Sequence, residues 1–368
     1  MKSLGKKLLT GKFDLLKVSL PVKIFEPRSY LQKLGDPLVF PDLMNKAVHA
    51  RNPVERLKWV VTYFVAGYHR AFLTWSKPFN PILGETWQAS LSDGTCVYME
   101  QISHHPPVSA FQIIGPNHCF YFHGHSQPSV TYKTNAITSY AHGERQLEFL
   151  DGTVIDITFP EYNIKSLVSS SPTKADLSGK VVIVDTTHGL KVELHFGKIE
   201  GCKGILARPD AIYGTMCRTT GHANLVKDET SWSLSKTISR SGSWLGFNHP
   251  TPYHQPKSTT SSRAFVLQDG DTVAMSDQSL QGSDDLMKPL SICKGNWLAY
   301  LDWDDCRFWT LLEEKPDRWT SDPHPLPSDC SFREDLRKLA TGNMEEAQLA
   351  KDKMENDQRR DAKLRTAA

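Results

Sequence analysis

Residues 87–107 of the chain read WQASLSDGTCVYMEQISHHPP and set the pattern for the fold. Apolar and polar residues alternate from Trp87 to Leu91, residues 92–95 carry turn-forming Asp and Gly, and residues 96–102 are again typical of a strand. The pattern predicts an antiparallel hairpin. Its second strand ends in two histidines and two prolines. The prolines stiffen this end, because proline fixes its own φ and restricts the preceding residue to extended conformations.

The same arrangement of two strands around a short turn recurs along the chain. The predicted pairs are 108–114 with 119–125, 146–150 with 153–159, 181–185 with 190–196, and 297–301 with 307–312. Because no helical segment intervenes in the run of hairpins, they predict a large antiparallel meander that curls or closes to hide its edges.

Helical periodicity occurs on both sides of the strands. Residues 26–73 contain three apolar repeats at helical spacing, the last of them capped by Asn52 ahead of a proline. Residues 332–340 predict another helix. Asn343 begins the final one, with Glu346 three residues later in a variant of the capping box. The sequence therefore predicts a β-rich α+β fold with helices at both ends.

The bulk composition excludes several classes of protein. The net charge of +2 over 368 residues argues against a dedicated nucleic-acid binder. Seven scattered cysteines without a Cys-x-x-Cys pair favour reduced thiols inside the cell. No apolar run approaches the roughly 20 residues that span a bilayer.

Residues 1–25 alternate basic and bulky apolar groups, so they either rest on an anionic membrane, cover an apolar opening or form a frayed terminus.

A stiff turn precedes the first hairpin and carries two candidate binding residues. Residues 77–85 read KPFNPILGE, in which two prolines fix the positions of Lys77 and Asn80. Lysine offers a point charge to phosphate, and asparagine offers an amide donor. By itself the segment is a structural proline turn. Its closeness to the histidines across the hairpin favours a binding role.

His104 and His105 are the second candidate pair. Consecutive extended side chains point in different directions, so the pair suits two contacts with one large anion better than joint ligation of a metal. His123 and His125 share a strand face, but the sequence shows no third ligand at a spacing typical of a catalytic zinc site. The alternative, from a different class of function, is an enzyme: a metal-dependent hydrolase that uses His104, His105 and His123. Since the sequence lacks a nucleophile elbow, a P-loop and a dinucleotide fingerprint, we predict no enzyme, no metal and no cofactor.

A charged stripe occupies the last predicted helix. Lys351, Glu355 and Arg359 follow one another at intervals of four residues, which keeps them on one side of the helix. Taken alone, such a stripe is a solvated face with intrahelical ion pairs.

Three motifs together resemble the oxysterol-binding protein family of lipid-transfer proteins. Residues 100–107, EQISHHPP, match the family fingerprint, and residues 77–85 match its Lys-Pro-Phe-Asn-Pro segment. Residues 14–21, DLLKVSLP, resemble its junction between lid and core. The resemblance covers residues 12–365 and implies a lone lipid-binding domain.

The resemblance implies an incomplete antiparallel β-barrel around an apolar lipid tunnel, with an N-terminal lid and flanking helices. The implied division of the single domain is a lid at 1–25, N-terminal helices at 26–74, a barrel at 75–312 with an irregular region at 221–290, and a C-terminal helical region at 313–368.

The resemblance also implies a ligand site at the tunnel mouth for the headgroup of phosphatidylinositol 4-phosphate. The matching positions are Lys77, Asn80, His104, His105, Lys351, Glu355 and Arg359, with the backbone of the lid residue Leu15 in reach. A phosphate monoester carries about −1.5 to −2 charges at neutral pH. Histidines with an ordinary pKa near 6.5 gain protons beside such a group. Glu355 either orients Lys351 or Arg359, or accepts an inositol hydroxyl.

The implied function is lipid transfer in the cytoplasm with transient association to organelle membranes. A monomer would exchange phosphatidylinositol 4-phosphate for a second lipid, either sterol or phosphatidylserine, and would bind no nucleic acid. The alternative is a sensor or scaffold that binds the same lipids without net transport.

Overall fold

The computed structural model describes residues 19–74, 76–133, 135–166, 173–219 and 289–367. The predicted lid contact at Leu15 lies outside the described residues. So does most of the region 221–290, which was predicted to be irregular.

The predicted helices are present on both sides of the strands. The described α-helices are α1 (Tyr30–Gly35), α2 (Pro41–His49), α3 (Pro53–Tyr68), α4 (Glu334–Ala340) and α5 (Met344–Ala367). The two predicted caps are confirmed as well. The Asn52 side chain accepts the backbone N–H of Val54 at 2.9 Å, and the Asn343 side chain accepts that of Glu346 at 3.1 Å. None of these helices is both long enough and apolar enough to cross a membrane.

The strands make up most of the described chain. They are β1 (Phe25–Ser29), β2 (Lys77–Phe79), β3 (Thr86–Ser90), β4 (Cys96–His104), β5 (Pro107–Ile114), β6 (Phe120–Lys133), β7 (Ala136–His142), β8 (Arg145–Phe149), β9 (Val154–Ile157), β10 (Glu161–Lys165), β11 (Lys174–Ser178), β12 (Lys180–Asp185), β13 (Leu190–Phe196), β14 (Ala211–Arg218), β15 (Ser291–Asn296), β16 (Tyr300–Trp303), β17 (Cys306–Thr310) and β18 (Thr320–Ser321).

Sixteen of these strands form one antiparallel sheet. Its order is β17-β16-β15-β14-β13-β12-β9-β8-β6-β5-β4-β3-β18, and β7, β10 and β11 branch from the second half of β6. The end strands β17 and β18 do not pair with each other within the described residues, so the sheet stays open. The predicted fold class, an incomplete antiparallel barrel with flanking helices, is confirmed.

Most predicted hairpins are confirmed, but several strands were not foreseen. β7 is half-buried at every position and so lacks the alternation that marks a strand in sequence. β1 lies where helical signals were expected from residue 26, and it pairs in parallel with β2. A strand this short, with a proline at its centre, depends on a partner about 50 residues away.

Helix α3 forms the centre of the core. Phe64 packs edge-on against Phe122 of β6, with ring centroids 5.3 Å apart, and Tyr68 packs against Phe196 of β13 at 5.6 Å. The indole N–H of Trp303 in β16 donates to Thr62 at 3.3 Å. The sheet therefore curves around one helix that touches strands from both of its halves.

Helix α5 is anchored beside the N-terminal segment. The backbone N–H of Val22 donates to Gln348 of α5 at 2.8 Å. This contact places the C-terminal helix next to β1, and β1 pairs with β2. The first described segment and the last helix thus meet where the Lys77 turn begins.

Candidate functional site

The residues singled out from the sequence converge on one cleft. Its volume is about 130 Å³, and its lining includes Lys77, Asn80, His104, His105, Lys351, Glu355 and Arg359. These residues come from the β2 turn, the end of β4 and helix α5. Leu15 is the one candidate whose position is not described.

Lys77 and Asn80 are joined to each other in the lining of the cleft. The Lys77 ammonium donates to the Asn80 side-chain oxygen at 2.5 Å and to the Pro78 carbonyl at 3.2 Å. Since the carboxamide oxygen of Asn80 accepts this bond, its N–H₂ group is the part that can donate to a ligand. Burial, with the nearby charge of Lys351 adding to it, lowers the pKa of Lys77 to about 8.

The two histidine rings form another part of the lining. Their centroids are 4.5 Å apart, and the ring planes are inclined by 59°. The register of β4 is irregular between Gln101 and Ser103, so strict strand alternation does not reach His104, and both rings line the same cleft. Burial and the neighbouring His105 lower the pKa of His104. The Nδ1 atom of His104 is buried and has no hydrogen-bond partner among the described residues.

The charged stripe of α5 is not a solvated face throughout. Lys351 is only 4% exposed, because the helix packs against the N-terminal segment, whereas Arg359 is exposed. The Lys351 ammonium donates to the Ser19 hydroxyl at 3.0 Å and to Glu355. Glu355 also accepts a bond from Arg359 at 3.0 Å. Burial alone would raise the pKa of Glu355, but the bonds from Lys351 and the charge of Arg359 lower it. Its contacts therefore support the orienting role.

Two ammonium groups lie close to one aromatic ring. The Nζ atoms of Lys77 and Lys351 lie 5.0 Å and 5.6 Å from the ring centroid of Phe25 in β1. Each cation is attracted to the quadrupole of the ring, which partly offsets their mutual repulsion. The ring of Phe25 and the carboxylate of Glu355 therefore both help to hold the two ammonium groups close together.

Sequence reasoning missed the buried guanidinium that holds the Lys77 turn. Arg333 donates to Glu85 at 2.8 Å, to the Asn80 carbonyl at 2.8 Å, and twice to Asp335 at 3.0 Å and 2.7 Å. Glu85 in turn accepts the backbone N–H of Ile82 at 3.0 Å. Arg333 thus connects α4 to the turn and positions Asn80. No local sequence signal marks it, because its partners in the turn are about 250 residues away.

Gln358 is the second lining residue that was missed. Its Nε2 atom is buried and has no partner within the described chain. The residue lies seven positions after Lys351 and three after Glu355, so helical spacing could have placed it on the same face. Buried polar atoms usually have partners. Two unpaired nitrogens in one cleft, on His104 and Gln358, indicate a site built for a ligand with several acceptor oxygens.

His123, which lies outside the cleft, has a carboxylate partner on the neighbouring strand. The His123 ring nitrogen lies 3.0 Å from a Glu148 carboxylate oxygen on the neighbouring strand β8. In the described ranges, no three His, Cys, Asp or Glu side chains form a group that could hold a metal ion.

Comparisons with known proteins identify the family. The family model described as Oxysterol-binding protein matches residues 6–368. Oxysterol-binding protein 9 of Dictyostelium discoideum is 30% identical over 99% of this chain and 74% of its own length. Human oxysterol-binding protein-related protein 5 is 31% identical over 66% of this chain, which corresponds to 28% of that protein.

Solved structures show the same fold. The Osh1 ORD domain in complex with cholesterol superposes with a TM-score of 0.67 at 20% identity, covering 98% of this chain and 79% of that one. The Osh3 ORD of Saccharomyces cerevisiae in complex with PI(4)P gives a TM-score of 0.67 at 18% identity, covering 100% and 84%. With a family model that spans nearly the whole sequence, the chain belongs to the oxysterol-binding protein family.

Proposed function

We propose that this chain binds phosphatidylinositol 4-phosphate by its headgroup in the cleft and transfers the lipid between membranes. The observation that carries the proposal is the meeting of Lys77, Lys351 and Arg359 with two histidines around a cavity that contains unpaired buried nitrogens. Such a set suits an anion with many acceptor oxygens. The Osh3 ORD solved with PI(4)P supports the choice of ligand.

Each residue has a distinct role in the proposed complex. Lys77 and Lys351 supply charge to the phosphates, and Arg359 adds a planar donor at the exposed rim. Asn80, His104 and His105 donate hydrogen bonds, and Gln358 joins them through its unpaired amide. Glu355 keeps Lys351 and Arg359 in position. Leu15 would complete the site from the lid.

Transfer, as opposed to simple adhesion, follows from the cost of moving lipid tails. Exposing hydrocarbon to water costs roughly 0.8 kcal/mol per methylene, so about 30 methylenes exceed 20 kcal/mol. This is more than typical binding free energies, so a carrier has to cover the tails completely.

We infer that residues 1–25 act as a lid on one lipid-binding domain that extends to residue 368. The domain would act as a monomer at membrane surfaces and take sterol or phosphatidylserine as its second lipid.

Transfer between liposomes tests the proposal directly. Donor liposomes carry labelled phosphatidylinositol 4-phosphate and acceptors carry none, and parallel assays use labelled sterol and labelled phosphatidylserine. We expect the full chain to accelerate net movement of the phosphoinositide in proportion to protein concentration. If transfer of the phosphoinositide becomes faster when the acceptors contain sterol or phosphatidylserine, that lipid is identified as the counter-ligand. Extraction without net transfer would favour a sensor, and no extraction would refute the proposal.

Binding should weaken as the solution becomes more basic. With a pKa of about 8, ligand-free Lys77 is mostly protonated at pH 7 and loses its charge as pH rises through 8 and 9. The phosphate monoester, with a second pKa near 6, keeps its charge over this range. Affinity for phosphoinositide vesicles should therefore fall by up to about tenfold between pH 7 and pH 9.

The Lys77→Arg variant provides the control for this pH dependence, because a guanidinium stays charged throughout the range. Its affinity should be nearly constant from pH 7 to pH 9 in the same vesicle assay. An equally steep loss in Lys77→Arg would show that another group causes it.

A further inference from the structure

A buried cation inside the curved sheet lacks a negative partner among the residues that the structure describes. Arg145 at the start of β8 is 4% exposed, and its guanidinium lies 4.6 Å from the ring centroid of Phe159. It donates to the backbone carbonyls of Ala141 at 2.7 Å, His142 at 3.3 Å and Gly143 at 3.2 Å. Within the part of the chain that the structure describes, it forms no ion pair with a carboxylate. Fully buried arginines are rare unless they are paired with an opposite charge.

A buried hydroxyl near Arg145 likewise has no partner in the described part of the chain. Tyr68 at the end of α3 is 1% exposed, and its hydroxyl makes no hydrogen bond among the described residues. Its ring packs edge-on against Phe159, with centroids 6.1 Å apart. The same phenyl ring therefore contacts both the unpaired cation and the unpaired hydroxyl.

Internal space borders this pair. Tyr30 and Tyr162 lie deep in the protein, where burial raises the pKa of both hydroxyls. Both side chains and Phe159 nevertheless keep accessible surface, as they are only half-buried. The accessible surface that these side chains keep therefore points to space inside the curved sheet beside Phe159. The Tyr30 hydroxyl lies 3.4 Å from that of Ser126. Burial raises the pKa of Tyr30, and the nearby charge of Arg145 acts in the opposite direction.

We propose that Arg145 and Tyr68 form an internal site for the carboxylate of a long-chain lipid. An anion would supply the charge that Arg145 lacks and accept the hydrogen bond that Tyr68 can donate. A neutral hydroxyl would satisfy Tyr68 but leave the cation uncompensated, so the structure favours a carboxylate over an alcohol. The hydrocarbon tail would lie among the aromatic side chains around Phe159. Neither residue lines the cleft formed by Lys77 and α5. The inference rests on the proposed function, because the interior that would cover the lipid tails would also hold this ligand.

Two lipids with the same hydrocarbon tail test the assignment. Oleate and oleyl alcohol differ only at the polar end, and cholesterol serves as a third ligand. Affinities for the full chain are measured by displacement of a fluorescent fatty acid. We expect oleate to bind at least about tenfold more tightly than oleyl alcohol, because hydrogen bonds between charged groups are the stronger ones. Arg145→Met should remove this preference.

Tyr68→Phe is the variant that keeps the proposal falsifiable if Arg145→Met does not fold. It removes a hydroxyl without a protein partner, so thermal stability should not fall. Oleate affinity should decrease severalfold, while oleyl alcohol affinity and phosphoinositide vesicle binding stay at wild-type values. Equal binding of oleate and oleyl alcohol, tighter binding of cholesterol, or unchanged oleate affinity in Tyr68→Phe would each overturn the proposal. In those cases Arg145 only holds the connection between β7 and β8.

Discussion

Replacing both His104 and His105 with alanine is expected to reduce binding of phosphatidylinositol 4-phosphate vesicles by about a hundredfold or more. Each charge-assisted hydrogen bond contributes roughly 1.5–3 kcal/mol, and two such bonds are removed at once. Both rings line the cleft, and the Nδ1 atom of His104 has no partner among the described residues. Vesicle co-sedimentation with a phosphoinositide titration measures the loss.

The control is a double variant of histidines outside the cleft. His123→Ala with His195→Ala also removes two imidazoles, but neither residue lines the cavity. His123 is engaged with Glu148, and His195 is exposed on β13. This variant should bind the vesicles like the wild type. Wild-type affinity in the His104/His105 variant would show that the headgroup binds elsewhere. An equal loss in both variants would point to a general effect on the fold.

Arg333→Met is expected to destabilise the protein by about 3–5 kcal/mol, the usual range when one partner of a buried ion pair is removed. Its side chain is 7% exposed, while those of Glu85 and Asp335 are 1% and 0% exposed. Methionine leaves two buried carboxylates without their cation and removes the bond that holds the Asn80 carbonyl. Urea unfolding at neutral pH measures the difference.

The pH dependence distinguishes this cause from a simple packing defect. Burial already raises the pKa of Glu85, and loss of the Arg333 charge raises it further. A carboxyl group whose folded pKa exceeds its unfolded value of about 4 becomes destabilising as pH rises from the unfolded pKa to the folded pKa. The deficit of Arg333→Met should therefore be smallest near pH 4 and grow toward neutrality. A packing defect would give a deficit that does not depend on pH.

Arg307→Met provides the matched comparison. Arg307 pairs with Asp302 on the surface, and its side chain is 48% exposed. Since such pairs contribute at most about 1 kcal/mol, this variant should unfold nearly as the wild type does. A comparable loss in both variants would mean that burial of the Arg333 network is not the reason for its effect.

Local chemistry in the sequence was enough to predict the elements with strong signals. Asn52 and Asn343 mark helix starts because a cap acts within one turn of its own residue. The hairpin of β3 and β4 was predictable because the alternation and the turn both lie within about 20 residues. Strand β7 was missed because it is half-buried on both faces, which removes the periodic signal.

The sequence by itself determined the meander of hairpins, the helices at both ends and the family motifs, because each of these is encoded in contiguous residues. Only the tertiary structure decided that Lys351 is buried beside Ser19 and that Arg333 holds the Asn80 turn. It also decided that Arg145 lies inside the sheet without a carboxylate partner among the described residues. The physical reason is that burial and charge compensation depend on groups far apart in the chain, whose proximity no local pattern records.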